Sequence, residues 1–262
     1  MSSQRLHYLQ ALDIDVWQRR AAVTLPAAEM AVAERVAVAA ASTVAAPPNE
    51  PAEPAPAVPS VATVAGLGWA ELEERVRQCS ACQLHRTRTR PVFGVGNVNA
   101  QWMIIGEAPG ADEDRQGEPF VGRAGQLLNS MLKAIGLARE QVYIANILKS
   151  RPPNNRDPAP AEVAACIPYL FRQIELINPR VLLCVGRIAA QSLLNTDTSI
   201  GKLRGKLHTL ETGRVNRPLI VTYHPAYLLR SPLEKRRVWS DLVLAMQTFE
   251  QLSQGEAAAT TQ

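Results

Sequence analysis

Four short apolar runs alternate with segments of helical periodicity, and this alternation limits the fold more than any other feature of the sequence. The helical segments lie at about 122–135, 161–177, up to 194, and 233–252. The apolar runs are WMII (102–105), VYIAN (142–146), VLLCV (181–185) and PLIVTY (218–223). Continuous apolar strands separated by helices are typical of a parallel sheet covered on both faces. We therefore expect an α/β fold, a three-layer α/β/α sandwich around a central, mainly parallel, four-stranded sheet.

The composition divides the chain into four parts. Residues 1–20 can form a short amphipathic helix and a candidate interaction peptide. Residues 21–66 consist largely of Ala, Val, Pro, Glu and Ser, which cannot bury enough apolar surface to offset ordering entropy, so we expect a disordered linker. The domain is expected at 67–252, followed by a disordered tail at 253–262.

Charge and cysteine content indicate the setting. The chain has 28 basic and 24 acidic residues, and the first 66 residues hold four of the basic and six of the acidic ones. The domain is therefore basic, which suits a polyanionic partner. Four cysteines in 262 residues are no disulfide framework. We therefore expect a reducing, cytoplasmic setting and no association with a membrane.

Polar motifs follow three of the predicted strands. GEAPG (106–110) comes after the first strand, Asn146 ends the second, and HPAYLLR (224–230) comes after the last. Ligands of open α/β sheets bind outside the carboxyl ends of the strands. One site at that edge would collect all three motifs.

Three stretches in order carry a family resemblance. GEAPGADEDRQGEPFVGRAGQLL, NILKSRPPNNRDP and TYHPAYLLR resemble the family 4 uracil-DNA glycosylases, which normally carry a 4Fe–4S cluster. The resemblance runs from about 67 to 249. It implies an enzyme that flips deoxyuridine out of DNA, hydrolyses its N-glycosidic bond and leaves an abasic site for base excision repair. No lysine in the motifs is placed for a Schiff base, so we expect no strand cleavage. The resemblance further implies a monomer that is associated with the nucleoid.

The resemblance also implies roles for four side chains. Phe120 matches the aromatic residue that stacks on the base, and Asn146 matches the reader of the uracil edge. His224 matches the catalytic histidine, which would stabilise negative charge on the leaving base. Glu107 lies where related enzymes position the attacking water. Gly106, Ala108 and Pro109 would complete the pocket.

DNA contacts are expected around this pocket. Leu228 or Leu229 would wedge into the minor groove where the base was, with Arg230 near a phosphate. Arg151 and Arg156 would approach the DNA from the loop after the second strand. The acidic run 112–114 is interpreted as a solvated turn.

The cysteines raise a separate question. The family's cluster ligands comprise a CxxC pair, a cysteine in KCRPP and a fourth cysteine 16 positions later. Cys79 and Cys82 match the pair and Cys166 matches the last, but Ser150 occupies the third position. Thiolates are the usual iron ligands. We expect a 4Fe–4S cluster of structural role that clamps the N-terminal helix to the RPPNNR loop.

Several arrangements remain open for the metal. Ser150 would ligate through oxygen, or three cysteines would hold a cluster with one iron open or lost. His85 or Cys184 would substitute if the fold brings either close. Zinc is the fallback, and its four ligands would be Cys79, Cys82, His85 and Cys166.

Two other functions are open at this level. The first is a DNA-binding, replisome-associated adaptor that keeps the fold with weak catalysis, since LQALDIDVW resembles the leading peptide of a replicative polymerase accessory subunit. Its N-terminal segment would bind a replication or repair protein. The second is a glycosylase for other bases, or one that links covalently to DNA through the region containing His208.

Overall fold

The computed structural model describes residues 61–211 and 216–260. The interaction peptide predicted at 1–20, most of the linker predicted at 21–66 and the last two residues of the predicted tail lie outside the described residues. The prediction of a partner for the N-terminal segment therefore stays a prediction.

A sheet lies at the centre of the described residues. Its strands are β1 Val95–Gly96, β2 Trp102–Gly106, β3 Tyr143–Asn146, β4 Val181–Val185, β5 Leu207–Glu211 and β6 Asn216–Thr222. Their order across the sheet is β1-β3-β2-β4-β6-β5. The four central strands pair in parallel, with Gly106 opposite Asn146 in the β2–β3 register. These four strands are the predicted ones, so the mainly parallel sheet is confirmed.

Two antiparallel edge strands add to the prediction of four. β1 pairs with β3, and β5 pairs with β6. β1 has only two residues, and β5 buries only Leu210. Neither edge strand has the continuous apolar run that identifies a central strand, and for this reason the sequence underestimates the sheet by two strands.

Helices cover both faces of the sheet. They are α1 Val61–Val64, α2 Trp69–Arg77, α3 Ala111–Gln116, α4 Arg123–Ala134, α5 Pro160–Ile177, α6 Arg187–Leu194, α7 Ile200–Leu203, α8 Pro225–Arg230 and α9 Lys235–Thr260. Side chains alternate along each strand, so Met103 and Ile105 face α5, α6 and α7, while Trp102 and Ile104 face α4, α8 and α9. The three-layer sandwich is confirmed.

The folded part extends beyond the predicted boundaries at both ends. Val64 of α1, inside the predicted linker, is 2% exposed and packs with Leu72 and Tyr169. At the other end α9 continues to Thr260, through most of the predicted tail. Among the described helices, none combines the length and the apolarity needed to cross a bilayer.

Candidate active site

A cavity of about 440 Å³ opens at the carboxyl end of the sheet. Residues from all three polar motifs line this cavity, as expected for the ligand edge of an open α/β sheet. From the predicted pocket these are Glu107, Ala108, Pro109, Phe120, Asn146 and His224, joined by Arg156 and Arg230. The structure therefore brings together the side chains that the sequence placed at one site.

Asn146 ends β3 with its side chain buried at 2% exposure. Its Oδ1 atom has no hydrogen-bond partner. Leaving a buried acceptor unpaired costs about 1–3 kcal/mol, and such a group calls for an explanation. A Cβ atom at Gly106, the residue opposite, would overlap this oxygen. The glycine thus keeps open the space that an N–H donor of a ligand would enter.

Phe120 forms a wall of the cavity in an unusual backbone conformation. Its φ is +55°, in the left-handed region that costs a non-glycine residue about 1–3 kcal/mol. The side chain is 6% exposed, and Arg139 Nη2 donates to the preceding carbonyl of Pro119 at 2.6 Å. Gly125 packs against the Phe120 carbonyl so closely that a Cβ atom there would overlap it. The surrounding packing therefore holds the ring in place despite the strain.

His224 caps the N-terminus of α8, and its ring stacks on Phe120 with centroids 5.5 Å apart. The Nδ1 atom accepts a hydrogen bond from the Ala226 N–H at 3.1 Å. This bond leaves the ring proton on Nε2 when the imidazole is neutral. Burial, and after it the positive charge of Arg230, lowers the pKa of His224 to about 4. Near neutral pH the ring is therefore an uncharged donor.

Glu107 follows β2 directly and is partly buried in the cavity wall. Burial raises its pKa to about 7, and the negative charge of Asp157 adds to this shift. Arg187 opposes the shift, and its Nη2 atom also pairs with Asp157 Oδ2 at 2.7 Å. The carboxyl group therefore changes its charge near neutral pH. A general base that activates water is most effective when its pKa lies near the working pH.

The acidic run 112–114 is only in part the solvated turn that the sequence suggested, because the side chain of Asp112 is half-exposed and pairs with Arg115, whereas the other two carboxylates are engaged by the fold. Asp114 is 3% exposed and accepts the Thr89 N–H through both oxygens, at 2.9 and 3.1 Å. Glu113 lines the cavity and accepts the Gly110 N–H at 3.1 Å. Both carboxylates bind main-chain N–H groups, and Thr89 is 25 residues from Asp114. Local sequence carries no sign of such a distant partner.

Asn155 and Tyr227 also line the cavity, and sequence reasoning assigned neither to the pocket. Each lies within one of the quoted motifs and next to a predicted site residue, Arg156 or Leu228, and this proximity is the sequence signal that could have identified it. Asn155 Oδ1 accepts from Arg151 Nε at 2.7 Å. Arg151 is thus held against the loop and does not line the cavity itself.

The residues predicted to contact DNA have different environments. Leu228 is 1% exposed and packs in the core beneath α8, so the expectation that it contacts DNA is not met. Leu229 is 39% exposed and is the leucine of the pair that reaches the surface. Arg156 Nη2 pairs with Glu162 at 2.6 Å, and Arg230 stands at the cavity.

The four residues predicted as cluster ligands come from neighbouring parts of the fold. Cys79 and Cys82 are partly buried, whereas Cys166 and Ser150 are buried. Burial raises the pKa of the Cys82 thiol, and it raises that of the Cys166 thiol to about 12. The Cys79 sulfur accepts a hydrogen bond from Tyr169 at 3.3 Å. Burial therefore favours the protonated form of the Cys82 and Cys166 thiols.

Ser150 is already engaged by a cation. Arg88 Nη1 donates to Ser150 Oγ at 2.9 Å, and its Nη2 donates to the Cys79 carbonyl at the same distance. Within residues 61–211 and 216–260, no three His, Cys, Asp or Glu side chains are grouped so that they could hold a metal ion. As placed, the residues do not fit a cluster with four thiolate ligands.

The predicted substitutes do not complete a metal site either. Cys184 is 0% exposed in the central strand β4, where it packs in the core. His85 directs Nδ1 to the Cys82 carbonyl at 2.7 Å. The zinc arrangement of these residues is therefore not formed among the described side chains.

Comparisons with known proteins show what this chain is similar to. The pattern of the Uracil DNA glycosylase superfamily matches residues 93–243. The type-4 uracil-DNA glycosylase of Archaeoglobus fulgidus is 48% identical over 175 residues, covering 65% of this chain and 88% of that protein. The Thermotoga maritima protein of that name is 47% identical over 161 residues, covering 61% and 82%. The Pyrobaculum aerophilum protein is 42% identical over 178 residues, covering 66% and 91%.

Proposed function

Since this chain belongs to the uracil DNA glycosylase superfamily and to its type-4 members, we propose that it is a uracil-DNA glycosylase of DNA repair. It accepts a deoxyuridine turned out of the helix, hydrolyses the bond between base and sugar, and leaves an abasic site. The observation that carries the proposal is the unpaired, buried Oδ1 atom of Asn146 in the cavity wall.

The edge of uracil is complementary to the Asn146 amide. Uracil offers an N3–H donor beside the O4 acceptor, and the amide offers the matching acceptor and donor. Cytosine presents the reverse polarity at these positions, so it would leave both amide groups unpaired. A site built to hydrogen-bond its substrate can reject a mismatched analogue by a factor of about 10⁴ or more. The Phe120 ring supplies the stacking surface, worth about 1–3 kcal/mol per base.

His224 stabilises the leaving base. As the glycosidic bond breaks, negative charge accumulates on uracil, and the Nε2–H of His224 donates to uracil O2. The ring is neutral because its pKa is about 4, and its tautomer is set by the bond between Nδ1 and Ala226. Removal of one preorganised donor of this kind typically costs about 10²–10³ in rate.

Glu107 acts on the sugar side of the bond. Its carboxylate form orients the attacking water and favours the positive charge that develops on the sugar. The raised pKa of about 7 makes this form predominant only above neutral pH. The carboxylate is a modest base, which suffices because the departing base is already stabilised.

The surroundings of the cavity serve to hold the opened DNA. Leu229 occupies the space that the extruded base vacates, and Arg230 and Arg156 face the backbone phosphates. Because the substrate is DNA, the protein acts at the nucleoid. For Cys79, Cys82 and Cys166 we propose a structural task only, at the junction between the end of α2 and α5, without a part in bond cleavage.

Uracil release tests the proposal directly. Purified protein is incubated with single- and double-stranded oligonucleotides that contain one deoxyuridine, and free uracil is measured by mass spectrometry. His224→Ala should lower the rate by about 10²–10³. His208→Ala is the matched control, since its Nε2 atom binds the Leu203 carbonyl at 2.7 Å and the residue does not line the cavity. Intact substrate, or equal rates in both variants, would refute the proposal.

The same assay separates the other functions. Release of cytosine, thymine or hypoxanthine from matching oligonucleotides would indicate a glycosylase for a base other than uracil. Protein–DNA adducts that survive denaturation would indicate the covalent type. Binding of DNA without release of any base would leave the adaptor function.

A further inference from the structure

Lys149 is a buried lysine three residues after the uracil-reading asparagine. Its side chain is 1% exposed, although lysine is almost never fully buried unless paired. The Nζ atom donates to the main-chain oxygen of Asn146 at 2.9 Å and to Oε1 of Gln173 at 2.7 Å. Lys149 does not line the cavity, so its amine is not placed to attack the sugar.

Gln173 extends this contact into the core. It is 0% exposed in α5, and its Nε2 atom donates to the Phe93 carbonyl at 3.0 Å and to the Tyr143 hydroxyl at 3.3 Å. Lys149 therefore connects the helix behind the sheet to the carboxyl end of β3. Buried polar networks in which every member has a partner are rigid.

The bond to Asn146 fixes one particular peptide unit. The Ile147 N–H donates to the Gly106 carbonyl at 3.0 Å, while the Asn146 carbonyl of the same unit accepts from Lys149. A peptide unit is planar, so these two bonds set the orientation of the backbone on which the Asn146 side chain stands. The next N–H, of Leu148, donates to the Glu107 carbonyl at 3.0 Å.

We propose that Lys149 is a positioning residue for uracil recognition, which locks the peptide after Asn146 so that the amide faces the base edge. The inference rests on the proposed function, because it assigns Asn146 to the uracil edge. An apolar side chain at position 149 fills the space but leaves two buried acceptors without a donor. The peptide then rotates to find other partners. Misplacement of a positioning group by about 1 Å costs on the order of 10² in rate.

Lys149→Met tests the role, because methionine is similarly long and unbranched but has no donor. Tyr143→Phe is the matched control, since it removes a hydroxyl of the same network and leaves both lysine bonds intact. Excision is measured in single turnovers, beside inhibition by free uracil and affinity for DNA with an abasic site. For Lys149→Met we expect excision to fall about 10- to 100-fold and free uracil to inhibit correspondingly less. Affinity for abasic DNA should stay unchanged, as should all three quantities in the control.

A double-mutant cycle separates positioning from a general structural role. In an Asn146→Ala background, Lys149→Met should lower excision by less than about threefold, because the group it positions is gone. The proposal would be overturned if Lys149→Met lowered the excision rate as much in the Asn146→Ala background as in the wild type. It would also be overturned if Lys149→Met weakened binding of abasic DNA by as large a factor as it slows excision.

A second variant covers the case in which Lys149→Met does not fold. Gln173→Met removes one anchor of the amine and keeps its bond to Asn146, so we expect a smaller loss that also vanishes in the Asn146→Ala background. Full persistence of its loss there would again overturn the proposal. Failure of the wild-type protein to release uracil refutes the proposed function itself. If the wild-type protein is active but the losses of excision rate in the single variants add in the double variants with Asn146→Ala, only the role of Lys149 is refuted.

Discussion

A methyl group at position 106 would enter the space beside Asn146 and Phe120 that we assign to the uracil base. In Gly106→Ala the added Cβ atom overlaps Asn146 Oδ1 and lies 2.7 Å from Phe120 Cζ and 2.8 Å from its Cε2. Carbon atoms prefer separations of about 3.5–4.0 Å, so the ring or the amide must move by about 1 Å. The ring cannot move freely, because Gly125 packs against its backbone. A displacement of this size in a site of this kind costs about 10² in rate, or about 2.7 kcal/mol.

Single-turnover uracil excision measures the expected loss of rate, and thermal unfolding shows whether the variant still folds. Gly201→Ala is the control, because Gly201 lies in α7 and a Cβ atom there meets nothing within 4 Å. The control should keep full activity. We expect Gly106→Ala to lose about 10²-fold in rate while its cooperative unfolding persists. Wild-type excision by a folded Gly106→Ala protein would refute the assignment of this cavity to the base.

Three further predictions follow from other parts of the site. The rate constant kcat/KM should rise about tenfold per pH unit up to about pH 7 and then level off, because Glu107 must lose its proton and its pKa is about 7. Glu107→Gln should remove this slope, and a slope that persists in the variant would contradict the role of the carboxylate. Ser150→Cys should raise the iron bound after anaerobic reconstitution to about four atoms per chain, above the wild-type content, with excision unchanged. Equal iron in both proteins would contradict the importance of the missing thiol. Leu229→Ala should slow excision from double-stranded DNA about tenfold and leave single-stranded DNA unaffected, whereas Leu228→Ala should lower the stability by about 2–5 kcal/mol. Equal effects of Leu229→Ala on both substrates would contradict its role as a wedge.

The parts of the fold that follow from local pattern could be predicted from the sequence. Each central strand is a continuous apolar run, and Glu107, Asn146 and His224 follow such runs, so the topology places them at one edge. The burial of Leu228 depends on the rotation of α8, a helix of only six residues. That length is too short for periodicity to define a face.

Contacts between distant residues could not be predicted in the same way. Ser150 meets Arg88, which lies 62 residues away, and Asp114 meets the Thr89 backbone. Neither partner has a motif of its own, so their pairing depends on the tertiary fold. The positive φ of Phe120 is likewise set by packing against Gly125 and not by the sequence EPFVG.

The central claim is that the unpaired amide of Asn146 reads uracil in the cavity between β2, β3 and α8. A crystal structure of the protein with free uracil tests this claim most directly. The account predicts the base against the Phe120 ring, with N3–H donating to Asn146 Oδ1 and O2 accepting from His224 Nε2. Uracil bound elsewhere, or a cavity that stays empty at saturating uracil, would contradict it.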